Sequence, residues 1–130
     1  MKNMLDLEKK PKIRNFRDLV VYQKLFALHL EVHRITMTFP KFEMYELGSQ
    51  LRRSSNSSPA NVAEGWNNKH TNIYLECLNR ALGEVQETEH HLDIAFAKKY
   101  ISKEKYEELI EKYKETERML RGLVKSLRFS

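Results

Sequence analysis

Residues 71–99 read TNIYLECLNRALGEVQETEHHLDIAFAKK, and their apolar positions indicate the fold class. A row of mostly apolar residues recurs there at alternating steps of three and four: Leu75, Leu78, Leu82, Val85, Glu89, Leu92 and Phe96. These steps match the 3.6 residues of a helical turn, so the row predicts one face of a long α-helix. Thr71 or Asn72 is available as its N-cap. The predicted helix spans roughly residues 71–99.

The stretch that follows repeats the same spacing. Its row consists of Tyr106, Leu109, Tyr113, Thr116, Leu120, Leu123 and Leu127, and Ser102 stands where the N-cap of a further helix belongs. Only Lys99, Tyr100 and Ile101 remain to connect the two helices. Because so short a connection forces its helices to lie antiparallel, the second half of the chain predicts a long helical hairpin.

The first half begins with a further amphipathic pattern. From Phe16 onward, one row holds Val21, Leu25, Leu28, Val32, Ile35 and Phe39, and a second row beside it holds Leu19, Tyr22, Phe26, His29 and His33. Together they predict a helix with a wide apolar face. It should end before Phe39-Pro40, since the residue before a proline is disfavoured in the α region.

Residues 40–70 allow two interpretations. By propensity, the run from Ser54 to Ser58 predicts a linker, followed by a new helix with Ser58 as its cap and Pro59 at its first position. Against this, Leu51, Ser54, Ser58 and Val62 keep helical spacing through the serines. We favour one helix over residues 44–66, disturbed at Pro59 and ending near Gly65, because small residues let helices approach closely.

Composition agrees with an all-α, single-domain protein. The chain has 130 residues, of which 41% are hydrophobic, and only four glycines and three prolines are available for turns. Residues 1–15 predict a basic, flexible N-terminal arm, and residues 16–130 a four-helix bundle domain. The single cysteine, Cys77, and an N-terminus that carries Asp6 within its first residues indicate a reducing cytoplasm, without a membrane association.

One segment resembles a known family. The residues that carry the resemblance are Phe39-Pro40, Gln50-Leu51-Arg52-Arg53 and Ser57-x-Pro59-Ala60-Asn61-Val62-Ala63-Glu64-Gly65. They closely resemble the run typical of the four helix bundle proteins, also called 23S rRNA-intervening-sequence proteins, and a looser similarity extends over residues 16–128. The chain departs from the pattern at Leu82-Gly83-Glu84, where small residues and a serine are more usual.

The resemblance implies an antiparallel up-down four-helix bundle that assembles as a ring-like homopentamer and is not an enzyme. A related bundle is the accessory variability determinant of diversity-generating retroelements, a basic pentameric barrel thought to bind nucleic acid and a reverse transcriptase. We therefore expect this chain to be a bacterial nucleic-acid-binding protein, with RNA or DNA as its partner. The alternative is a protein-interaction scaffold or accessory subunit, for example of a reverse transcriptase.

Residues that could support catalysis or bind metal are few. His29 and His33 could present two imidazoles on one face, yet no third ligand accompanies them, so a structural role is favoured. Glu87-x-x-His90 has the spacing of di-iron bundles but occurs once, whereas such sites need it twice. The serines lack a positioned base. We expect no catalytic residue, no metal site and no cofactor.

Two carboxylates are expected to be partly buried. Glu89 occupies a core step, and Glu64 lies beside Asn61 near the apolar row of the second helix. Because a buried carboxylate is costly unless it is paired, we expect a structural polar cluster of Glu64 and Glu89 with Arg52, Arg53 or Asn61 that determines helix register. The alternative is that this cluster belongs to a functional surface or a subunit interface.

The C-terminal end of the chain is basic. Arg118, Arg121, Lys125 and Arg128 are spaced by three, four and three residues without an intervening acid, and the chain carries a net charge of +5. Such a stripe can complement the helix dipole and keep the end of the helix soluble, or it can bind nucleic acid by neutralising phosphates without reading bases. Arg53, Lys69 and Arg80 are expected to add to this surface.

Overall fold

Four α-helices account for most of residues 12–128, the part of the chain that the computed structural model describes. They are α1 (Val20–Thr36), α2 (Leu47–Trp66), α3 (Asn72–Ala97) and α4 (Lys103–Arg128), and short 3-10 turns lie at Phe16–Asp18 and Lys41–Glu43. The described range contains no β-strand. Within it, no helix combines the length and the apolar character that a membrane span requires. The all-α prediction is confirmed.

The four helices form a bundle in which each helix packs on its neighbours in the chain and α4 packs back on α1. α2 packs on α1 and α3, and α4 packs on α3 and α1. Cross-helix contacts show that each neighbouring pair is antiparallel: His29 meets Ser55 while Thr36 meets Arg52 further back along α2. Between α3 and α4, Asp93 contacts Tyr106, and Glu89, earlier in α3, contacts Lys114, later in α4. This is the up-down arrangement that the family resemblance implies, and its α3–α4 half is the hairpin predicted from the short connection between those helices.

The core is formed by one predicted row of each helix, whereas Phe26 and His33 of the second row predicted for α1 are exposed. Leu25 and Val32 of α1, Leu51 and Val62 of α2, Leu78, Val85 and Leu92 of α3, and Leu109, Tyr113 and Leu120 of α4 are all fully buried. Glu89 is 7% exposed at the core step that the sequence assigns to it. Burial of these side chains from water supplies the main stabilising free energy of the bundle.

The first helix begins later than the sequence predicts. Residues 16–18 form a 3-10 turn, and Leu19 is extended at φ −70° and ψ 125°, so α1 starts at Val20. Asn15 and Asp18 form a capping box at the start of this 3-10 turn. Of the predicted basic arm, residues 1–11 lie outside the described residues.

α2 is one continuous helix through Pro59, as favoured from the spacing of its small residues. It begins at Leu47 rather than at residue 44, because Lys41–Glu43 form a 3-10 turn first. Pro59 has no N–H to donate to the carbonyl of Ser55, four residues earlier. The hydroxyl of Ser58 donates to that carbonyl at 3.2 Å. The serine therefore replaces the hydrogen bond that the proline removes.

The α3–α4 hairpin has well-defined ends. Thr71 caps α3 by accepting from the N–H of Ile73 at 3.2 Å, and Ser102 caps α4 by accepting from the N–H of Lys105 at 3.1 Å. α3 ends at Ala97, where Lys99 adopts a φ of 65°. The N–H groups of Lys99 and Tyr100 donate to the carbonyls of Phe96 and Ala95, which is the Schellman motif.

Candidate nucleic-acid interface

A basic groove lies between α3 and the C-terminal half of α4. It has a volume of about 320 Å³, and its lining residues are Asn79, Leu82, Arg121, Val124, Lys125 and Arg128. The three cations share one face because they are spaced by four and three residues. None of them forms an ion pair within residues 12–128. Their charges are therefore available to an external anion.

Arg118, the fourth residue of the predicted stripe, lies outside this groove. It borders a depression on α4 together with Glu108, Glu111, Lys112 and Glu115. The pKa of Glu115 is lowered first by its hydrogen bond from Lys24 and also by the charge of Arg118. Arg118 thus marks the boundary between the acidic and the basic half of the helix surface.

Lys69 lies at the same end of the bundle as the basic groove. With His70, Thr71, Asn72 and Leu75 it lines a cavity of about 240 Å³ that reaches Leu127 on α4. Its ammonium lies 4.9 Å from the centre of the Trp66 ring, a cation–π contact. Lys69 can therefore extend the positive surface beyond the C-terminus of α4.

Arg53 and Arg80 differ from these residues, because carboxylates of α3 accompany them. Arg53 contacts Glu84 at 3.2 Å and also binds Glu87. Arg80 lies 4.0 Å from Glu76 of its own helix. The structure thus places the two arginines beside acids, and neither of them lines the basic groove.

The predicted polar cluster is not assembled as expected. Arg52 donates to the hydroxyl of Thr36 at 3.0 Å and to the carbonyl of Met44 at 2.6 Å. Asn61 donates to the carbonyl of Ser57 within α2, and Glu64 is exposed. Among the described residues, no hydrogen bond or ion pair joins Arg52, Asn61 or Glu64 to Glu89. The partners of Glu89 lie on α4. The expectation was wrong because helical spacing does not reveal which neighbouring helix a core position faces.

Glu89 instead forms a buried carboxyl pair with Glu117, which is also 7% exposed. Lys114 lies 3.0 Å from Glu89 and 3.6 Å from Glu117. Burial, together with the hydrogen bond to Glu117, raises the pKa of Glu89 to about 7, although Lys114 opposes that shift. Glu117 was not predicted as a core residue, and its position beside the core threonine Thr116 was the available signal.

A second buried acid, Glu43, was also missed. It is 1% exposed and accepts hydrogen bonds from Lys98 at 3.0 Å and from Tyr100 at 2.8 Å. The hydrogen bond from Lys98 and then that from Tyr100 lower the pKa of Glu43, and the N–H of Leu47 adds to this shift. Glu43 therefore joins the turn before α2 to the α3–α4 loop.

The histidines form contacts within the bundle. Nδ1 of His29 lies 2.8 Å from the hydroxyl of Ser55, and the ring of His33 is 6.2 Å from that of His29. Burial, and then the charge of His33, lowers the pKa of His29. Ser55 is fully buried, so a substrate cannot reach its hydroxyl. Over residues 12–128, no three His, Cys, Asp or Glu side chains are grouped as metal ligands would be.

An exposed apolar row follows the outer face of α1. It consists of Phe26, Leu30 and Met37, which are 50%, 44% and 54% exposed. Phe42 and Tyr45, which follow α1 in the chain, are 68% and 87% exposed. Apolar side chains grouped in this way are typical of a protein–protein contact.

Comparison with known proteins identifies relatives of the chain. The family model described as 23S rRNA-intervening sequence protein matches residues 17–122. A solved structure of a protein with unknown function from the S23 ribosomal protein family of Bacteroides thetaiotaomicron VPI-5482 superposes with a TM-score of 0.75. It is 25% identical in sequence, and the match covers 82% of this chain and 96% of that one. No curated protein matches the chain.

Proposed function

The chain belongs to the 23S rRNA-intervening sequence protein family, and on that basis we propose that it is a non-catalytic protein that binds the backbone of RNA or DNA. The proposed binding surface is the basic groove, with Lys69 at its edge. The observation that carries the proposal is that Arg121, Lys125 and Arg128 line one groove without an ion pair in the described part of the chain.

The contrast with the other cations of the bundle supports this assignment. Lys24 lies 2.7 Å from Glu115, Arg53 contacts Glu84 and Glu87, and Lys105 binds Glu31. Positive charge that is balanced within the fold attracts an external polyanion weakly. In the last turns of α4, by contrast, Arg121, Lys125 and Arg128 line one groove together, and their charges also complement the helix dipole.

The groove offers little that could read a base sequence. Its neutral lining consists of Asn79, Leu82 and Val124, without an aromatic ring on which a base could stack. Arginine and lysine side chains neutralise phosphates whatever the sequence. The proposed binding is therefore specific for the polyanion backbone rather than for a sequence.

Assembly of five chains in a ring is part of the proposal. Five copies of a chain with a net charge of +5 carry about +25, a field that raises the rate at which a polyanion is captured. The exposed apolar row of α1 would supply the contact between neighbouring subunits, because it buries apolar area that the isolated chain leaves in water.

The same apolar row favours a second candidate, a protein-interaction scaffold whose positive charge only preserves solubility. The two functions differ in their response to salt, since phosphate binding weakens steeply as ionic strength rises and an apolar interface changes little. The test is light scattering after size exclusion, followed by binding of labelled structured RNA and duplex DNA over a salt series. A pentamer that binds neither polymer at low salt would contradict the proposed function.

A further inference from the structure

The carboxyl pair of α3 and α4 has more negative charge than its surroundings can balance. Glu89 and Glu117 are each 7% exposed, and the cation that contacts both is Lys114. If both carboxyls were ionised, one buried negative charge would remain without a counterion. Such a charge is costly in a protein interior, and a carboxyl group avoids that cost by keeping its proton.

The oxygen atoms of the pair give a second, independent indication. Glu89 Oε1 is the atom 3.0 Å from Lys114, while Glu89 Oε2 and Glu117 Oε1 are buried and have no donor among the described residues. The two carboxyl groups lie side by side, because Lys114 contacts Glu89 at 3.0 Å and Glu117 at 3.6 Å. Since an ionised carboxylate only accepts hydrogen bonds, a bond between two of them requires a proton.

Apart from Lys114, none of the other ionisable groups near the pair donates a hydrogen bond to Glu89 or Glu117 among the described residues. On α4, the hydroxyl of Tyr113 is buried without a hydrogen-bond partner among the described residues, and burial, followed by the charges of Glu31 and Glu89, raises its pKa. Tyr106 of α4 donates instead to Asp93 of α3. On α2, Arg53 is held by Glu84 and Glu87 on a different face of α3.

We propose that Glu89 and Glu117 share one proton, and that its release as the pH rises makes the α3–α4 interface a pH-sensitive contact. With the proton present, the pair is a hydrogen-bonded acid and carboxylate neutralised by Lys114. Without it, two like charges face each other in the bundle interior.

The sign of the effect on stability follows from proton linkage. Below the ordinary pKa of a glutamate, the folded and the unfolded chain both hold the proton. Between that pKa and about 7, the value for Glu89, the folded chain holds it while the unfolded chain has lost it. The contribution of the pair to stability therefore declines as the pH rises over this interval and is constant above it.

The test compares urea unfolding of the wild type with that of Glu89→Gln at pH values from 5 to 8, at one protein concentration and one ionic strength. The amide of glutamine resembles the protonated acid and does not titrate. We expect the ratio of the wild-type unfolding constant to that of the variant to rise about tenfold or more over this range. Glu117→Gln should give the same trend, because either substitution removes the shared proton.

Glu111→Gln is the matched control, since Glu111 is an exposed residue of the same helix. Its ratio to the wild type should not change with pH. A ratio for Glu89→Gln that is equally constant would overturn the proposal. Should the variants fold poorly, the wild type alone provides a second measurement: with 13C-labelled glutamate, one carboxyl carbon should titrate near pH 7, and titration of every glutamate below about pH 5 would exclude the shared proton.

Discussion

The hydroxyl of Tyr100 donates a hydrogen bond of 2.8 Å to the carboxylate of Glu43, which lies 57 positions earlier in the chain. Lys98 donates to the same oxygen at 3.0 Å. The turn before α2 and the loop after α3 are thereby held together at one end of the bundle. Because Glu43 is 1% exposed, its charge depends on these two donors for compensation.

Glu43→Gln should lower the melting temperature by several degrees at pH 7, because the amide cannot replace an ionised acceptor for Lys98. The lowered pKa of Glu43 means that its contribution is present above the ordinary glutamate pKa and is lost as the pH falls through the lowered value. The difference from the wild type should therefore shrink in acid, as thermal melts at pH 7 and pH 3 can measure. Glu46→Gln, an exposed neighbour, is the control and should change the melting temperature little at either pH.

Gly65→Ala should destabilise the bundle by about 1–3 kcal/mol through overpacking. A Cβ atom at this position would lie 2.6 Å from Cβ of Cys77, so α2 and α3 would have to separate. Gly83 offers the opposite case, since a Cβ there meets no atom within 4 Å. Gly83→Ala should stabilise α3 by about 0.5–1 kcal/mol. Urea unfolding of both variants checks the pair, and equal effects of the two substitutions would contradict the close approach at Gly65.

Replacement of Arg121, Lys125 and Arg128 by glutamine should weaken binding to duplex DNA and reduce its salt dependence. Each phosphate contact contributes about −0.9 to the slope of log K against log salt, so the slope should become shallower by up to about 3. The matched control replaces Lys24, Arg53 and Lys103, which have carboxylate partners, and removes the same total charge. Equal losses in the two triple variants would show that net charge, rather than the basic groove, governs binding.

If the chain forms the proposed ring, Phe26→Glu together with Leu30→Glu should reduce the mass that light scattering measures toward that of one chain. Two carboxylates in the apolar row would have to be desolvated in a subunit contact, and they would repel their counterparts in any symmetric arrangement. Ile73→Glu tests the specificity of the effect, because Ile73 is 49% exposed, nearly the same as Phe26 at 50%, but lies on α3. If Ile73→Glu dissociates the assembly and the α1 variant does not, the row is not the subunit contact.

The helices themselves could be predicted from the sequence because apolar spacing reports which positions of one helix face inward. The rows of α1, α3 and α4 and the caps at Thr71 and Ser102 follow from this local signal. The continuity of α2 was harder to predict, because the low helix propensity of its serines indicates a linker while their spacing indicates a helix. Burial of Ser54, Ser55 and Ser58 against neighbouring helices decided in favour of spacing.

Partners across helices could not be predicted in the same way. The rotation and axial position of each helix determine that Glu89 meets Lys114, that Arg53 meets Glu84 and Glu87, and that Glu43 meets Tyr100. None of these pairs has a fixed sequence spacing. The main part of the candidate site was therefore predicted as one basic stripe on α4. In the structure, Arg121, Lys125 and Arg128 line the basic groove, whereas Arg118 lies outside it beside glutamates.

The order of contacts along the chain has a consequence for how the bundle forms. Asp93 and Tyr106 are 13 positions apart, whereas the ion pair of Glu31 with Lys105 closes a loop of 74 positions. The longer closure costs about 1.5 kcal/mol more in chain entropy. We therefore expect the α3–α4 hairpin to form early and the α1–α4 contact late. During synthesis α1 is made before the other three helices, and α2 covers only part of its core-facing side, so the remainder stays open to water until α4 has been made.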